Sequence, residues 1–203
     1  VSALPALLVT FVRRHVPESD VWSKRKPAAH PVRTLLSGSL GWLTLRTFML
    51  TTFNMSAYWI TFSWLPTYLR EERGMGLVKS GLWILVIVAG ELFGYLTFGW
   101  ASDRWGRKPA FTLYASMMGA GLTGITLGWE QLSADPAALM ACMAVVGSGT
   151  GTWSNFGPYF SELFPTPLRG IAMGSIYNAA RGIQFAAPIV VAAIAREAGL
   201  SAG

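Results

Sequence analysis

Two ionisable residues stand alone inside long apolar stretches of this 203-residue chain. Glu91 is the one charged residue in 80–102, and Arg181 is the one in 170–195. A charge at the centre of a membrane-spanning helix costs about 2.5–3.5 kcal/mol, so a charge that persists there is a candidate for function. Arginine binds carboxylates through two parallel hydrogen bonds, and a carboxylate removed from water is protonated more readily. We therefore expect Arg181 to bind an anionic ligand and Glu91 to carry a proton, with an ion pair between the two as the alternative.

Uncharged polar side chains recur at helical spacing in stretches of the same kind. Tyr177, Arg181 and Gln184 follow one helix face at i, i+4 and i+7, and Asn54 and Tyr58 begin a second such row. Polar rows on apolar helices favour a water-filled cavity, although packing inside the bundle is the alternative for each residue. The predicted ligand-contacting residues are Asn54, Tyr58, Glu91, Asn155, Tyr177, Asn178, Arg181 and Gln184.

The elements that carry these residues are predicted to be membrane-spanning helices. Hydrophobic residues make up 52% of the chain and charged residues 13%, about half the charged share of a soluble domain. A spanning helix needs about 20 predominantly apolar residues. We therefore expect an all-α integral membrane fold, with the end of a helix in 1–12, a polar cytoplasmic connector in 13–45 and a bundle in 46–203. The bundle is predicted to contain helices at about 47–69, 80–100, 109–128, 137–160 and 170–194.

Lysine and arginine residues are divided unequally between alternate loops. One set of loops, which includes 13–45 and 103–108, holds most of them. Because the side richer in these residues stays in the cytoplasm, these loops are predicted to be cytoplasmic. The net charge of +6 is then a signal of topology and not of nucleic-acid binding. We expect a multi-pass protein of the plasma membrane, the inner membrane in a bacterium, in contact with the lipid bilayer.

The residues that metal or covalent chemistry would require are scarce. The sequence has one cysteine, Cys142, and two histidines, His15 and His30, without ligands at metal spacing. It contains no histidine-rich cluster, no Ser/His/Asp set and no acyltransferase pair. The sequence therefore predicts no metal, no cofactor and no enzyme activity.

Glycine pairs with four-residue spacing recur within the predicted spans. This spacing lets two helix backbones approach each other closely in a membrane. We therefore interpret these pairs as helix-packing sites: Gly90/Gly94, Gly124/Gly128, Gly147/Gly151 and Gly170/Gly174.

A charged turn separates the predicted helices at 80–100 and 109–128. Its sequence from Gly99 to Lys108 is GWASDRWGRK, in which Gly106 permits a sharp reversal and the basic residues anchor the loop. This pattern resembles the signature loop of the major facilitator superfamily of secondary transporters.

Two further stretches resemble the same family. The sequence YFSELFPTPLRG at 159–170 is similar to its other cytoplasmic signature, and PES at 17–19 is similar to the sequence after its sixth helix. The resemblance implies the C-terminal half of a twelve-helix carrier, from the end of helix six to helix eleven. It also implies that surface residues form a conformational gate, with topology as the alternative role: Gly99, Asp103, Arg104, Gly106, Arg107, Lys108, Glu162 and Arg169.

Within this superfamily, FSWLPTYL at 62–69 and YNAAR at 177–181 look like the proton-coupled symporters of organic acids. The resemblance therefore implies alternating-access transport of a small organic carboxylate, with protons and the missing N-terminal half as partners. A carrier of sugars or other neutral metabolites and a transporter-like sensor without transport are the alternatives.

Overall fold

The computed structural model describes residues 30–198 and the isolated positions 9, 14, 15 and 17. The regular structure of these residues is helical, as predicted. Most of the predicted helix end in 1–12, and the connector residues 13, 16 and 18–29, lie outside the described residues. The helices are α1 (Pro31–Leu35), α2 (Gly38–Glu71), α3 (Leu77–Trp105), α4 (Arg107–Leu127), α5 (Trp129–Ala134), α6 (Pro136–Gly149), α7 (Phe156–Leu163), α8 (Thr166–Ile183) and α9 (Ala187–Ala198), with 3₁₀ turns at Thr150–Asn155 and Gln184–Ala186.

The first long helix starts earlier than the charge pattern predicts. α2 begins at Gly38, inside the segment 13–45 that the sequence assigns to the connector. The apolar residues just before Arg46 extend the helix backwards, and the Arg46 guanidinium lies 4.7 Å from the centre of the Trp42 ring. Because Arg46 stacks on this ring inside the helix, it does not mark the start of α2. The connector therefore ends earlier than residue 45, where the sequence places its end.

A 3₁₀ turn interrupts each of the last two predicted spans. Pro158 lacks the N–H that an α-helix would direct to the Ser154 carbonyl, and Pro188 lacks the one for the Gln184 carbonyl. Both carbonyls belong to 3₁₀ turns. The fourth predicted span is therefore built from α6 and α7, and the fifth from α8 and α9.

The long helices pack in two groups. In the first group, α3 packs along α6 and the 3₁₀ turn after it, and α4 also packs on α6. In the second group, α8 and α9 pack on α2. Contacts between α2 and α3 join the two groups.

Glycines permit the close contact between α3 and α6. A Cβ atom on Gly147 would lie 1.9 Å from a carbonyl oxygen of α3, and one on Gly90 would lie 2.3 Å from a carbonyl oxygen of α6. No side chain fits at such distances, so these glycines act as helix-packing sites. Within the described residues, Gly170 and Gly174 on α8 have open space where a Cβ atom would stand.

Two of the described helical segments, Gly81–Trp105 and Arg107–Leu127, are by themselves long and apolar enough to cross a membrane. The sequence predicts five spans, but the 3₁₀ turns divide the last two into shorter helices, of which α6, α7 and α9 have 14, 8 and 12 residues. Along α3, Leu85, Leu92 and Leu96 are exposed. An apolar helix face of this kind fits lipid or another helix better than water.

Candidate functional site

A cavity of about 270 Å³ lies where α2, α3, α8 and the 3₁₀ turn after α6 meet. Its lining consists of aromatic side chains and one arginine: Tyr58, Trp59, Tyr95, Trp153, Tyr177 and Arg181. Tyr58, Tyr177 and Arg181 are among the residues that the sequence predicts. The structure thus brings predicted site residues of α2 and α8 together around one space, which we call the aromatic cavity.

Contacts between rings hold the walls of the aromatic cavity. Tyr58 and Trp153 meet edge to face with ring centroids 5.1 Å apart, and Trp153 meets Tyr177 in the same way at 6.3 Å. Phe62 stacks on Tyr58 at 4.4 Å from outside the lining. Each such pair contributes about 0.5–1.5 kcal/mol beyond the burial of its surface. Because the rings fix one another, the walls are formed before any ligand binds.

Glu91 lies beside this cavity and contacts tyrosines. Its carboxylate accepts a hydrogen bond from the hydroxyl of Tyr95, one turn further along α3. The Tyr58 hydroxyl of α2 lies close to the same carboxylate. Within the described part of the chain, no ion pair joins Glu91 to Arg181. The ion-pair alternative is therefore not what the structure shows.

Arg181 places its side chain at the aromatic cavity from α8. Its guanidinium has no hydrogen-bonded or ion-paired partner among the residues that the structure describes. A guanidinium carries five N–H donors in a planar fork and stays charged at every physiological pH. These donors are therefore free to bind an anionic ligand.

Two of the predicted residues make contacts away from the cavity lining. Asn178 donates from Nδ2 to the Gly174 carbonyl, one turn back on α8, at 2.7 Å. Gln184 is buried, donates to the Ala180 carbonyl at 3.0 Å and accepts from the Ser56 hydroxyl at 3.1 Å. Gln184 therefore ties the second 3₁₀ turn to α2 instead of lining the cavity.

Two predicted asparagines also lie off the lining. Asn155 ends the first 3₁₀ turn with 2% of its surface exposed, and its Oδ1 has no partner within the described residues. Asn54 lines a second, mostly apolar cavity of about 410 Å³ between α2 and α4. A role for either residue in substrate binding stays a prediction.

Three cavity residues are missing from the predicted site. Tyr95 follows Glu91 at i+4, a spacing that places both on one helix face, so the sequence does carry a signal for it. Trp59 follows Tyr58 directly, and helical spacing gives no reason for both to reach one cavity. Trp153 lies in a 3₁₀ turn, whose geometry the α-helical period does not describe.

At the far end of α3, the signature turn brings charged side chains together. Gly106 has a φ of 93°, which favours glycine, and it reverses the chain between α3 and α4. The Arg107 guanidinium bonds to Asp103 at 2.8 Å and to Glu162 of α7 at 2.8 Å, and also to the Ser102 hydroxyl. The hydrogen bonds from Arg107 lower the pKa of the Glu162 carboxyl below its usual range. We call Asp103, Arg107 and Glu162 the motif cluster.

The other predicted gate residues lie near this cluster in the sequence. Arg104 places its guanidinium 5.9 Å from the centre of the Trp100 ring, and Lys108 is exposed. Arg169 is half-buried, and its Nε has no partner among the described residues. Gly99 has open space where a Cβ would stand. A gating role for all of these residues stays a prediction.

The sequence profile of the Major Facilitator Superfamily matches residues 1–188. The chain belongs to this superfamily. Superfamily members are integral membrane transporters, typically of the inner membrane in bacteria. The all-helical fold and the charged turn between α3 and α4 are the features that the sequence resemblance predicted.

Named relatives of the chain within the superfamily are transporters. A Haemophilus influenzae protein whose name assigns it to metabolite transport is 28% identical over 206 residues, which cover 96% of this chain and 49% of the relative. The D-galactonate transporter of Escherichia coli is 30% identical over 155 residues, 72% of this chain and 35% of the relative. The cis,cis-muconate transport protein of Acinetobacter baylyi is 25% identical over 214 residues, 100% of this chain and 51% of the relative.

The chain spans about half the length of the curated relatives that it matches from end to end. The names of these relatives describe transport and no enzyme activity, in agreement with the sequence prediction. No solved structure matches the chain significantly.

Proposed function

We propose that the carrier to which this superfamily chain contributes moves a small organic carboxylate across the membrane by alternating access. The observation that carries this proposal is Arg181, a permanent cation at a preformed cavity without an anionic partner in the described residues. A guanidinium fork matches the geometry of a carboxylate and binds it through two hydrogen bonds. Relatives named for galactonate and muconate, both carboxylates, support this substrate class.

Proton coupling is assigned to Glu91 in this proposal. Its carboxylate lies beside the aromatic cavity, where the Tyr95 and Tyr58 hydroxyls surround it. A change in its charge alters the electric field at Arg181, because charges interact strongly where water is scarce. Protonation of Glu91 therefore favours the binding of an anion at Arg181. This effect couples the movement of protons to the movement of the substrate.

The motif cluster is assigned to the conformational gate. Arg107 connects the turn between α3 and α4 to Glu162 on α7, so it spans two parts of the bundle. Alternating access requires one set of helices to rock against another. An ion pair that is intact in one state and broken in the other shifts the balance between the two states.

Uptake by the full-length carrier in proteoliposomes tests the proposal. The probes are nicotinate, cis,cis-muconate and D-galactonate, each paired with the amide in which every carboxylate is replaced, which has nearly the same shape but no charge. We expect an imposed pH gradient, acidic outside, to accumulate at least one acid above its external concentration, and the matching amide to be excluded.

The alternatives give different results in the same experiment. A carrier of neutral metabolites would accumulate an amide as well as its acid. A transporter-like sensor would bind an acid without accumulating it. Either outcome would contradict the proposed function.

A further inference from the structure

The lining of the aromatic cavity offers few hydrogen-bond acceptors, because its groups other than the phenols are the donors of Arg181 and of the Trp59 and Trp153 indoles. Five of its six residues are aromatic, and Arg181 is the one charged group among them. The Tyr95 hydroxyl donates to Glu91 and the Tyr58 hydroxyl lies close to the same carboxylate, which leaves Tyr177 as the remaining lining phenol. A polyhydroxylated acid would lose more hydrogen bonds to water than this lining can replace.

The arrangement of the rings suits a flat molecule. The Tyr58 and Trp153 planes are inclined at 71°, and those of Trp153 and Tyr177 at 75°. Rings that meet near right angles present a face on one wall and an edge on the next. A flat π system can therefore stack on one ring while its edge meets another, the two geometries that aromatic pairs prefer.

We propose that the aromatic cavity selects planar, conjugated carboxylates over saturated carboxylates of the same size and charge. This inference rests on the proposed function, because it requires Arg181 to hold the carboxylate. A planar acid places its carboxylate in the plane of its π system, so binding at Arg181 brings that plane between the walls. A volume of about 270 Å³ limits the ligand to about one ring or an equally short conjugated chain.

Binding of benzoate and cyclohexanecarboxylate to the full-length carrier in nanodiscs tests this inference. The two probes have the same carbon skeleton and one carboxylate, and they differ in planarity. We expect isothermal titration calorimetry to give a Kd for benzoate about tenfold lower than for cyclohexanecarboxylate, as expected for one or two good ring contacts.

Variants at Trp153 show whether the cavity causes this preference. In Trp153→Leu, we expect benzoate to lose most of its advantage while cyclohexanecarboxylate still binds, which also reports a folded site. In Trp153→Phe, which keeps a ring, the preference should return. The control is Phe93→Leu on α3, because Phe93 is 58% exposed and lies outside the cavity lining. This variant should keep the full preference.

The outcomes separate this inference from the proposed function. Equal Kd values for the two acids, or a preference that survives in Trp153→Leu, would overturn planar selection and leave carboxylate transport intact. Benzamide binding as tightly as benzoate would overturn the proposed function itself, since charge recognition at Arg181 would then be absent. A failure of benzoate to bind would overturn planar selection.

Discussion

Glu91 is a carboxylate whose contacts are tyrosine hydroxyls instead of a cation. The substitution Glu91→Gln keeps its size and an acceptor oxygen but removes the carboxylate to which the proposed function assigns proton coupling. We expect the variant to lose accumulation driven by a pH gradient and to keep exchange of internal for external substrate, because exchange needs no net proton movement. Both rates are measured in the same proteoliposomes. The control Glu130→Gln removes an exposed carboxylate of α5 and should change neither.

Glu162, unlike Glu91, is paired with a cation. Its ion pair with Arg107 lowers the pKa of the Glu162 carboxyl. The pair stabilises the structure fully above the usual carboxyl pKa and is lost only as the pH falls through the lowered value. It therefore stays intact between about pH 5 and pH 8. We expect Glu162→Gln to slow transport in that range without moving the midpoint of the pH–rate profile. A shifted midpoint would show that Glu162 itself titrates during transport.

At single positions, the sequence shows which charged residues lie in apolar stretches, but it predicts poorly which groups a side chain contacts. Glu91 and Arg181 are identified directly from the sequence as candidates for function. A charge persists in an apolar stretch for few reasons other than function or pairing. The partners of Gln184 and Glu91 are harder to predict. Gln184 shares a helical face with Arg181 only if the helix continues without a break, and the 3₁₀ turn at Gln184 ends that regularity.

The contact between α3 and α6 depends on glycine at the scale of the helices. In Gly147→Val, the new side chain would collide with the α3 backbone, since even a Cβ would lie 1.9 Å from a carbonyl oxygen. We expect the helices to separate at a cost of about 1–3 kcal/mol or more. The measurement is the melting temperature of the full-length carrier in detergent.

Gly119→Ala provides the matched control for that experiment. A Cβ on Gly119 of α4 meets no atom within 4 Å in the described part of the chain. Alanine is the better helix former, so this variant should melt at the same temperature or slightly higher. Equal loss of stability in both variants would show that the contact between α3 and α6 has no special need for glycine.

The apolar stretches of the sequence predict the helices, but they do not predict how the helices are interrupted. Each long charge-poor window of the sequence contains helix, because only a helix satisfies backbone hydrogen bonds without water. The positions of Pro158 and Pro188 indicate where breaks can occur. Whether the break is a kink or a 3₁₀ turn depends on the neighbouring helices, and a single sequence does not specify that packing.

For the whole molecule, the structure and the loop charges predict which ends of the helices share a membrane face. Arg73, just after α2, lies against Thr126 near the end of α4, whereas Lys108 lies at the start of α4. A helix of 21 residues separates these ends by about 30 Å, the thickness of the hydrocarbon core.

Cysteine labelling checks this arrangement in the full-length carrier. In a background without other cysteines, Cys142→Ala included, we expect a membrane-impermeant maleimide to reach Glu72→Cys from the periplasmic side and Lys108→Cys from the cytoplasmic side. Labelling of both positions from one side would contradict the multi-pass topology.

The family could be recognised from three short signatures, since a charged turn of fixed spacing is a more specific pattern than apolar periodicity. The aromatic cavity could not be predicted to the same extent, because its walls come from α2, α3, α8 and a 3₁₀ turn. Four distant segments meet there through helix packing. The spacing of residues within one segment does not predict that the four segments come together.

The substitution Arg181→Lys tests whether the Arg181 guanidinium binds the carboxylate of the substrate. Lysine keeps the positive charge but loses the planar fork, so the affinity of the full-length carrier for its anionic substrate should fall about tenfold or more. The same substitution at exposed Arg196 of α9 should have no effect. In calorimetric titration of both variants, we expect a higher Kd for Arg181→Lys, and an unchanged Kd would show that the Arg181 fork does not bind the carboxylate.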